Sequence, residues 1–339
     1  MDPIEALNEI AFWLERSLDS PYRTKAFRGA AAALVGMPSA QVAQSARTGA
    51  LRRVPGIGDT SATVIREAVD GGIPSYLADL REKALVPLVG GGEKLRAQLR
   101  GDLHSHSDWS DGTTSIDLMA ATAASLGHEY LVLTDHSPRL TVANGLSPER
   151  LTQQLVEVAR VNESRDDTGF ALMAGIEVDI LDDGRLDQVP ELLDRLDVVV
   201  ASVHSKLRME RADMTRRMLA AVANPHTNVL GHCTGQLVKG GRGTRPPSRF
   251  DADAVFAACA EYGVAVEINS RPERADPPDE LIAIALDAGC LFSIDSDAHA
   301  PGHLAFLDYG AQRATANGVP ADRIVTTWPA ERLREWAAG

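Results

Sequence analysis

A chain of 339 residues exceeds the ~100 to 200 residues of a typical domain, which predicts one large domain or a large one joined to a small one. Its 44% hydrophobic and 24% charged residues are those of a folded globular protein and exclude disorder. The formal charge of −13 is uneven: Met1 to Arg100 carries 13 Lys/Arg against 11 Asp/Glu, leaving 21 against 36 for the rest.

The chain starts MDPIEALNEIAFWLERS, too acidic for a signal peptide, and no apolar run approaches the ~18 residues of a membrane span. A cytoplasmic protein without membrane contact is expected. The first hundred residues read as helices, with an apolar stripe at Ile4, Leu7, Ile10, Ala11 and Leu14, then an alanine-rich helix in RTKAFRGAAAALVGM. Leu51 to Gly72, LRRVPGIGDTSATVIREAVDGG, has a helix end, a turn at Gly56 and Gly58 and a second helix, which is a helix-hairpin-helix pattern. Glycines in such a turn let backbone N–H groups face a phosphate at the positive end of the helix. Around it lie Arg23, Lys25, Arg28, Arg47, Arg52, Arg53 and Arg66 against the single acid Asp59. This patch is either a solvated helical face or a surface for a polyanion. In the second case Lys25, Arg28, Arg52, Arg53, Gly56 and Gly58 are the expected DNA contacts.

The glycines Gly90 to Gly92 mark a boundary, so residues 1–90 are expected as a small all-α domain, 91–100 as a linker and 101–339 as a larger domain. From Gly101 short apolar runs alternate with amphipathic segments, the pattern of β/α units around a parallel sheet. The runs are Leu103 with its flanks, Tyr130 to Leu133, Ala171 to Ile176, Val198 to Val203, Val229 to Leu230, Val264 to Ile268 and Leu291 to Ile294. Helices are predicted over Ser115 to Leu126, Pro148 to Asn162, Ala212 to Ala223, Phe250 to Tyr262 and Asp279 to Ala288. A distorted (β/α)7 barrel fits this series, with an open doubly wound sheet as the alternative.

Nearly every predicted strand ends in residues that bind metals. The series is His104, His106 and Asp111 in DLHSHSDWSDG, Asp135 and His136 in LVLTDHS, Glu177 in AGIEVDI, His204 in VVVASVHS, His232 in VLGHC, Asn269 in VEINS, and Asp297 and His299 in IDSDAH. C-terminal strand ends of a parallel α/β fold share one face, so these residues converge. Only His128, His226 and His303 of the nine histidines fall outside the pattern. The three separated cysteines, Cys233, Cys259 and Cys290, suit neither a disulfide framework nor a zinc ribbon, so any metal must use nitrogen and oxygen. Six imidazoles and three carboxylates exceed the ~4 ligands of one zinc ion, which calls for two or three ions. Lys206, Arg271 and Arg274 lie just past strand ends and are candidates for neutralising a substrate phosphate. Asp135 either orients a ligand or caps a turn.

These motifs, together with NGLSPERL, NPHTNVLGHCTG, VEINSRPERAD and TTWP, resemble the PHP (polymerase and histidinol phosphatase) family of metal-dependent phosphoesterases, above all the PHP domain of bacterial family X DNA polymerases. The similarity runs from about Gly101 to Pro329. YRTKAFRGAAAAL and VPGIGDTSATVI resemble the N-terminal DNA-binding domain of the same polymerases. The resemblance implies a PHP-fold barrel holding three divalent ions, zinc or manganese with iron as the third choice. His104, His106, Glu177 and Asp297 would hold the first, Glu177 with His204 and His232 the second, and Asp111, His136 and His299 the third. Glu177, Asp297 and His299 would then act in catalysis with Lys206 and Arg271.

Two departures shape the expected activity. No polymerase palm stands between the two regions, so polymerisation is not expected. The position of the lyase lysine of animal relatives is Val64, which cannot form a Schiff base. The leading expectation is a phosphoesterase acting on DNA ends or abasic sites in repair. A small-molecule phosphomonoesterase of the histidinol phosphatase type is the second, and a DNA-binding protein with structural metals the third.

Overall fold

The computed structural model describes residues 1–165, 169–241 and 243–339, which separate into two units, Met1–Pro87 and Leu88–Gly339. The first unit contains α1 (Pro3–Arg16), α2 (Pro21–Leu34), α3 (Ser39–Thr48), α4 (Asp59–Val69) and α5 (Ser75–Ala84). Asp2 caps α1 by accepting from the Ile4 and Glu5 amides. The apolar stripe of α1 becomes its buried face, where Leu7, Ile10 and Leu14 share a core with Phe27, Ala30 and Leu34 of α2 and Val64, Ile65 and Ala68 of α4. Gly56, before α4, has φ +90, and a Cβ there would lie 3.3 Å from the Gly29 carbonyl of α2. Glycine is needed for the backbone angle and for the close approach.

The second unit begins with α6 (Glu93–Arg96). Leu95 and Leu99 are buried in its core, so the stretch 91–100, expected as a linker, folds with the barrel. Next come β1 (Gly101–Ser105), α7 (Ile116–Ser125), β2 (Tyr130–Leu133), α8 (Pro148–Glu163), β3 (Ala171–Asp179), α9 (Pro190–Leu193), β4 (Val198–Ser202), α10 (Arg211–Val222), β5 (Val229–Leu230), α11 (Ala252–Tyr262), β6 (Ala265–Asn269), α12 (Asp279–Asp287), β7 (Leu291–Asp295), α13 (Leu307–Ala316) and α14 (Ala330–Ala337). The strands are parallel and lie in sequential order from β1 to β7, as in a (β/α)7 barrel; the reversal of order that defines a doubly wound sheet does not occur.

The barrel closes irregularly between β7 and β1. Near the strand starts, residues 324–326 wedge into the seam: Phe292 pairs with Ile324, and the Arg100 amide donates to Thr326 O at 2.8 Å. Higher up, two buried carboxylates replace backbone pairing. Asp295 accepts from the Leu103 amide at 2.8 Å, and Asp102 accepts from the Ser296 amide at 3.1 Å. Pairing resumes at the top through Ser105 and Ala298. The β1 register also shifts between Asp102 and Ser105, a bulge in the strand that carries His104 and leads into His106.

Candidate metal centre

The inner face of the barrel follows a period of two that runs from apolar to polar. The columns are Tyr130, Val132, Thr134 and His136; Met173, Gly175 and Glu177; Val198, Val200, Ser202 and His204; Ala265, Glu267 and Asn269; and Leu291, Ser293, Asp295 and Asp297. The lower residues, with Leu103 and Val229, form one apolar cluster closed from below by Trp328 and Leu333. The upper residues form the site. Strand alternation therefore builds both layers, and the barrel floor keeps water from the polar layer on that side.

Glu177 is at the centre. Its Oε2 lies 3.3 Å from His104 Nε2, 3.7 Å from His106 Nε2 and 2.8 Å from His136 Nδ1, and its Oε1 lies 3.2 Å from His204 Nε2 and 2.9 Å from His232 Nε2. Asp111 Oδ1 lies 3.4 Å from His136 Nε2 and 3.3 Å from His299 Nε2, while Asp297 Oδ1 lies 3.5 Å from His106 Nε2. Among the described residues these side chains form overlapping groups of metal-binding geometry that contain all nine predicted ligands. The grouping differs from the expected one in placing His232 with His104 and Glu177, and His204 with His136 and Glu177.

Both Glu177 oxygens, His104 Nε2, both His106 nitrogens and His136 Nδ1 are buried without a hydrogen-bond partner among the described residues. Such atoms are costly in a protein interior unless something else binds them, and divalent cations fit a donor set of imidazoles and carboxylates. Burial alone would raise the carboxyls of Asp111, Glu177 and Asp297, yet the facing imidazoles hold all three below their ordinary range. Burial, aided by His299 and His136, pushes His106 down to about 3. The Glu177 carboxylate acts the other way on the remaining rings, raising His104 and His204 and, with Asp111, lifting His136 to about 10. The cluster thus keeps its acids ionised and His106 neutral, and a cation binding there would displace protons from the other rings.

A surrounding layer fixes these rings. Glu267 is buried, with Oε1 2.6 Å from His104 Nδ1, while its Oε2 accepts from the His232 amide at 2.5 Å and from Asn269 Nδ2 at 3.2 Å. A proton held on His104 Nδ1 leaves the Nε2 lone pair facing Glu177. Asn269 donates to Glu267 and Asp297, so it ties the cluster together instead of joining the ligands. Asp135 accepts from the Ser107 amide and hydroxyl, Ser110 Oγ and Gln154 Nε2, which makes it a cap that holds the loop bearing Asp111. Sequence reading missed Glu267, although its place in the column between Ala265 and Asn269 was the available signal.

The basic candidates divide. Arg271 Nη1 lies 3.0 Å from His299 Nδ1 and 3.2 Å from the Asp297 carbonyl, and Arg274 Nε lies 3.3 Å from Asp297 Oδ2. Both line the cleft over the cluster; among the described residues the buried Arg271 Nε and Arg274 Nη1 have no hydrogen bond, and Arg274 Nε has only its ion pair with Asp297. Lys206 corrects the expectation: its backbone turns left-handed at φ 52, and its ammonium pairs with Asp182 at 2.5 Å, largely exposed and away from the cleft lining. In the helical unit Lys25, Arg52 and Arg53 are exposed. Arg28 is not a surface cation, since it is part-buried against Glu15 at 2.8 Å and Asn8 at 2.9 Å. Asp59 pairs with Arg52 at 2.6 Å, and the Gly58 amide donates to Ser61 Oγ, so part of the expected phosphate cradle is internally bonded.

The PHP domain profile matches residues 102–271. The DNA polymerase/3'-5' exonuclease PolX of Bacillus subtilis (strain 168) is 38% identical over 202 residues, covering 60% of this chain but 34% of that protein, so the chain spans about a third of its length. The probable phosphatase YcdX of Escherichia coli (strain K12) is 26% identical over 245 residues, 68% of this chain and 91% of the relative. The zinc-, L-histidinol- and phosphate-bound histidinol phosphate phosphatase of Lactococcus lactis aligns with a TM-score of 0.45 and 18% identity over 60% of this chain and 87% of that one. Fold and site define a metal-dependent phosphoesterase. The chain belongs to the PHP family.

Proposed function

We propose that this phosphoesterase hydrolyses phosphate esters of DNA at strand ends or abasic sites, with the helical unit bringing it to DNA and the nine side chains holding three divalent ions. The observation that carries the reading is the pair of arginines, Arg271 and Arg274, that line the cleft beside Asp297 and His299. They are suited to grip a phosphate at the cluster, because a guanidinium binds two phosphate oxygens at once. The 38% identity to a polymerase/exonuclease supports DNA over a small ester. Exposed Lys25, Arg52 and Arg53 support DNA contact by the helical unit.

Within this reading the chain's residues divide the work. The nine side chains would hold ions whose chemistry, when bound, would be Lewis acidity and activation of a water for attack on phosphorus. Glu177, reached by five imidazoles, links the ligand groups into one array. His299 Nδ1 is engaged by the Asp297 carbonyl at 2.8 Å and Arg271 Nη1 at 3.0 Å, which leaves Nε2 facing Asp111 as a ligand. Arg271 and Arg274 orient the phosphate and offset its charge, and no side-chain nucleophile is needed.

The test is incubation of metal-loaded protein with end-labelled single-stranded, nicked and abasic DNA, beside p-nitrophenyl phosphate and histidinol phosphate. Release of nucleotides, or cleavage at the abasic site, is expected. Turnover of the small esters alone would refute the DNA reading, and an inert protein that still shifts DNA in a gel would refute catalysis.

A further inference from the structure

We infer that Arg245 reads a second phosphate, so that the preferred substrate is an oligonucleotide with another phosphodiester beside the one cleaved; this rests on the DNA reading above. Arg245 lies on the loop after β5, whereas Arg271 and Arg274 lie on the loop after β6; all three line the cleft. The loop doubles back on itself. The Leu237 amide donates to Arg245 O at 3.0 Å, the Arg245 amide donates to Leu237 O at 2.9 Å, and Arg245 Nε donates to Gly235 O at 2.6 Å. Backbone and side chain are therefore both anchored, and the guanidinium is presented at the cleft from a fixed base.

The three arginines are not equivalent. Arg271 and Arg274 are tied to His299 and Asp297 in the ligand cluster, where the reacting phosphate must sit. Arg245 belongs to a loop that supplies none of the nine ligands. A charge placed there has no role in the array itself, but it can pair with the neighbouring phosphate of a strand.

The charge of the cleft points the same way. Among the described residues its lining acids are Asp111, Glu177 and Asp297, all in the ligand cluster, and its other charges are the three guanidiniums. A substrate carrying an ammonium group would meet three like charges and no uncommitted acid, whereas a polyanion is matched. The cleft, about 350 Å³, also offers an apolar side at Leu140 and Val142, the latter 90% exposed, for a sugar or base.

The experiment compares kcat/KM for the 3′-terminal bond of the dinucleotide d(TpT) and the trinucleotide d(TpTpT), with histidinol phosphate as a third substrate, in metal-loaded wild type, Arg245→Gln and Arg245→Lys. Wild type is expected to prefer the trinucleotide by about tenfold or more, the worth of one charge-assisted hydrogen bond. Arg245→Gln should bring that ratio close to one, and Arg245→Lys, which keeps the charge but not the Nε tie, should retain most of it. A wild-type ratio near one, an Arg245→Gln ratio equal to wild type, or an Arg245→Lys ratio as low as that of Arg245→Gln would overturn the inference while leaving the nuclease reading standing. Turnover of histidinol phosphate with neither oligonucleotide cleaved would remove the nuclease reading, and the inference with it.

Discussion

Replacing Glu267 by glutamine tests how the barrel holds its ligands, because it removes a charge while changing almost no volume. Glu267 Oε2 accepts two hydrogen bonds, from the His232 amide and from Asn269 Nδ2. The glutamine carbonyl must take that position, which turns its NH2 toward His104 Nδ1, the atom now 2.6 Å from Oε1. His104 can then only accept at Nδ1, and its proton moves to Nε2, 3.3 Å from Glu177, where a ligand needs a lone pair. A hydrogen bond to a charged group contributes about 1.5–3 kcal/mol, and loss of a carboxylate behind a ligating histidine typically weakens metal binding about 10- to 100-fold. Competition against a chromophoric chelator measures the affinity, and 15N shifts of the His104 ring, recorded above the pH at which it loses its second proton, report the tautomer. Unchanged affinity in the glutamine variant, or a proton still on Nδ1, would refute the reasoning.

Further predictions concern features away from the cluster. His128 is buried with neither ring nitrogen bonded among the described residues, and burial next to Arg96 depresses it from 6.5 to about 3. The unfolded chain therefore takes the proton first, and the stability contributed by the neutral ring is complete above 6.5 and is lost as pH falls toward 3. Denaturant melts should show His128→Leu gaining on wild type by about 1.4 kcal/mol per pH unit across that window, and parallel curves would contradict the assignment. Gly56→Ala should destabilise the helical unit by about 1–2 kcal/mol through its positive φ, whereas Gly58→Ala, extended and open, should change the unfolding midpoint little. If the helical unit binds duplex DNA through Lys25 and Arg53, the double glutamine variant should flatten the log K against log salt slope by about 0.9 per lost phosphate contact. An unaltered slope would move the DNA surface elsewhere.

The predicted strands and the helices α7, α8, α10, α11 and α12 were legible to within a few residues because apolar runs on barrel strands and the stripes of these helices obey simple periods, whereas α6, α9, α13 and α14 were not predicted. The ligands were legible for a related reason: polar residues directly after apolar runs mark the strand ends. Contacts that depend on closure were not. Asp102, Asp295 and the wedge at residues 324–326 acquire their partners only when β7 meets β1, residues nearly two hundred positions apart. Arg28 and Lys206 show the limit of reading charge alone. Arg28 lies on α2 next to the buried Phe27 and Ala31, which turns it toward Glu15, and one left-handed residue swings Lys206 outward.

The central claim is that imidazoles and carboxylates from the ends of six of the seven barrel strands gather around Glu177 to bind several cations. Elemental mass spectrometry of the purified, metal-loaded and exhaustively dialysed protein tests this most directly. Several divalent ions per chain are predicted, falling when Glu177 is replaced by glutamine. A content near zero in the folded wild type, or an unchanged content in that variant, would contradict it.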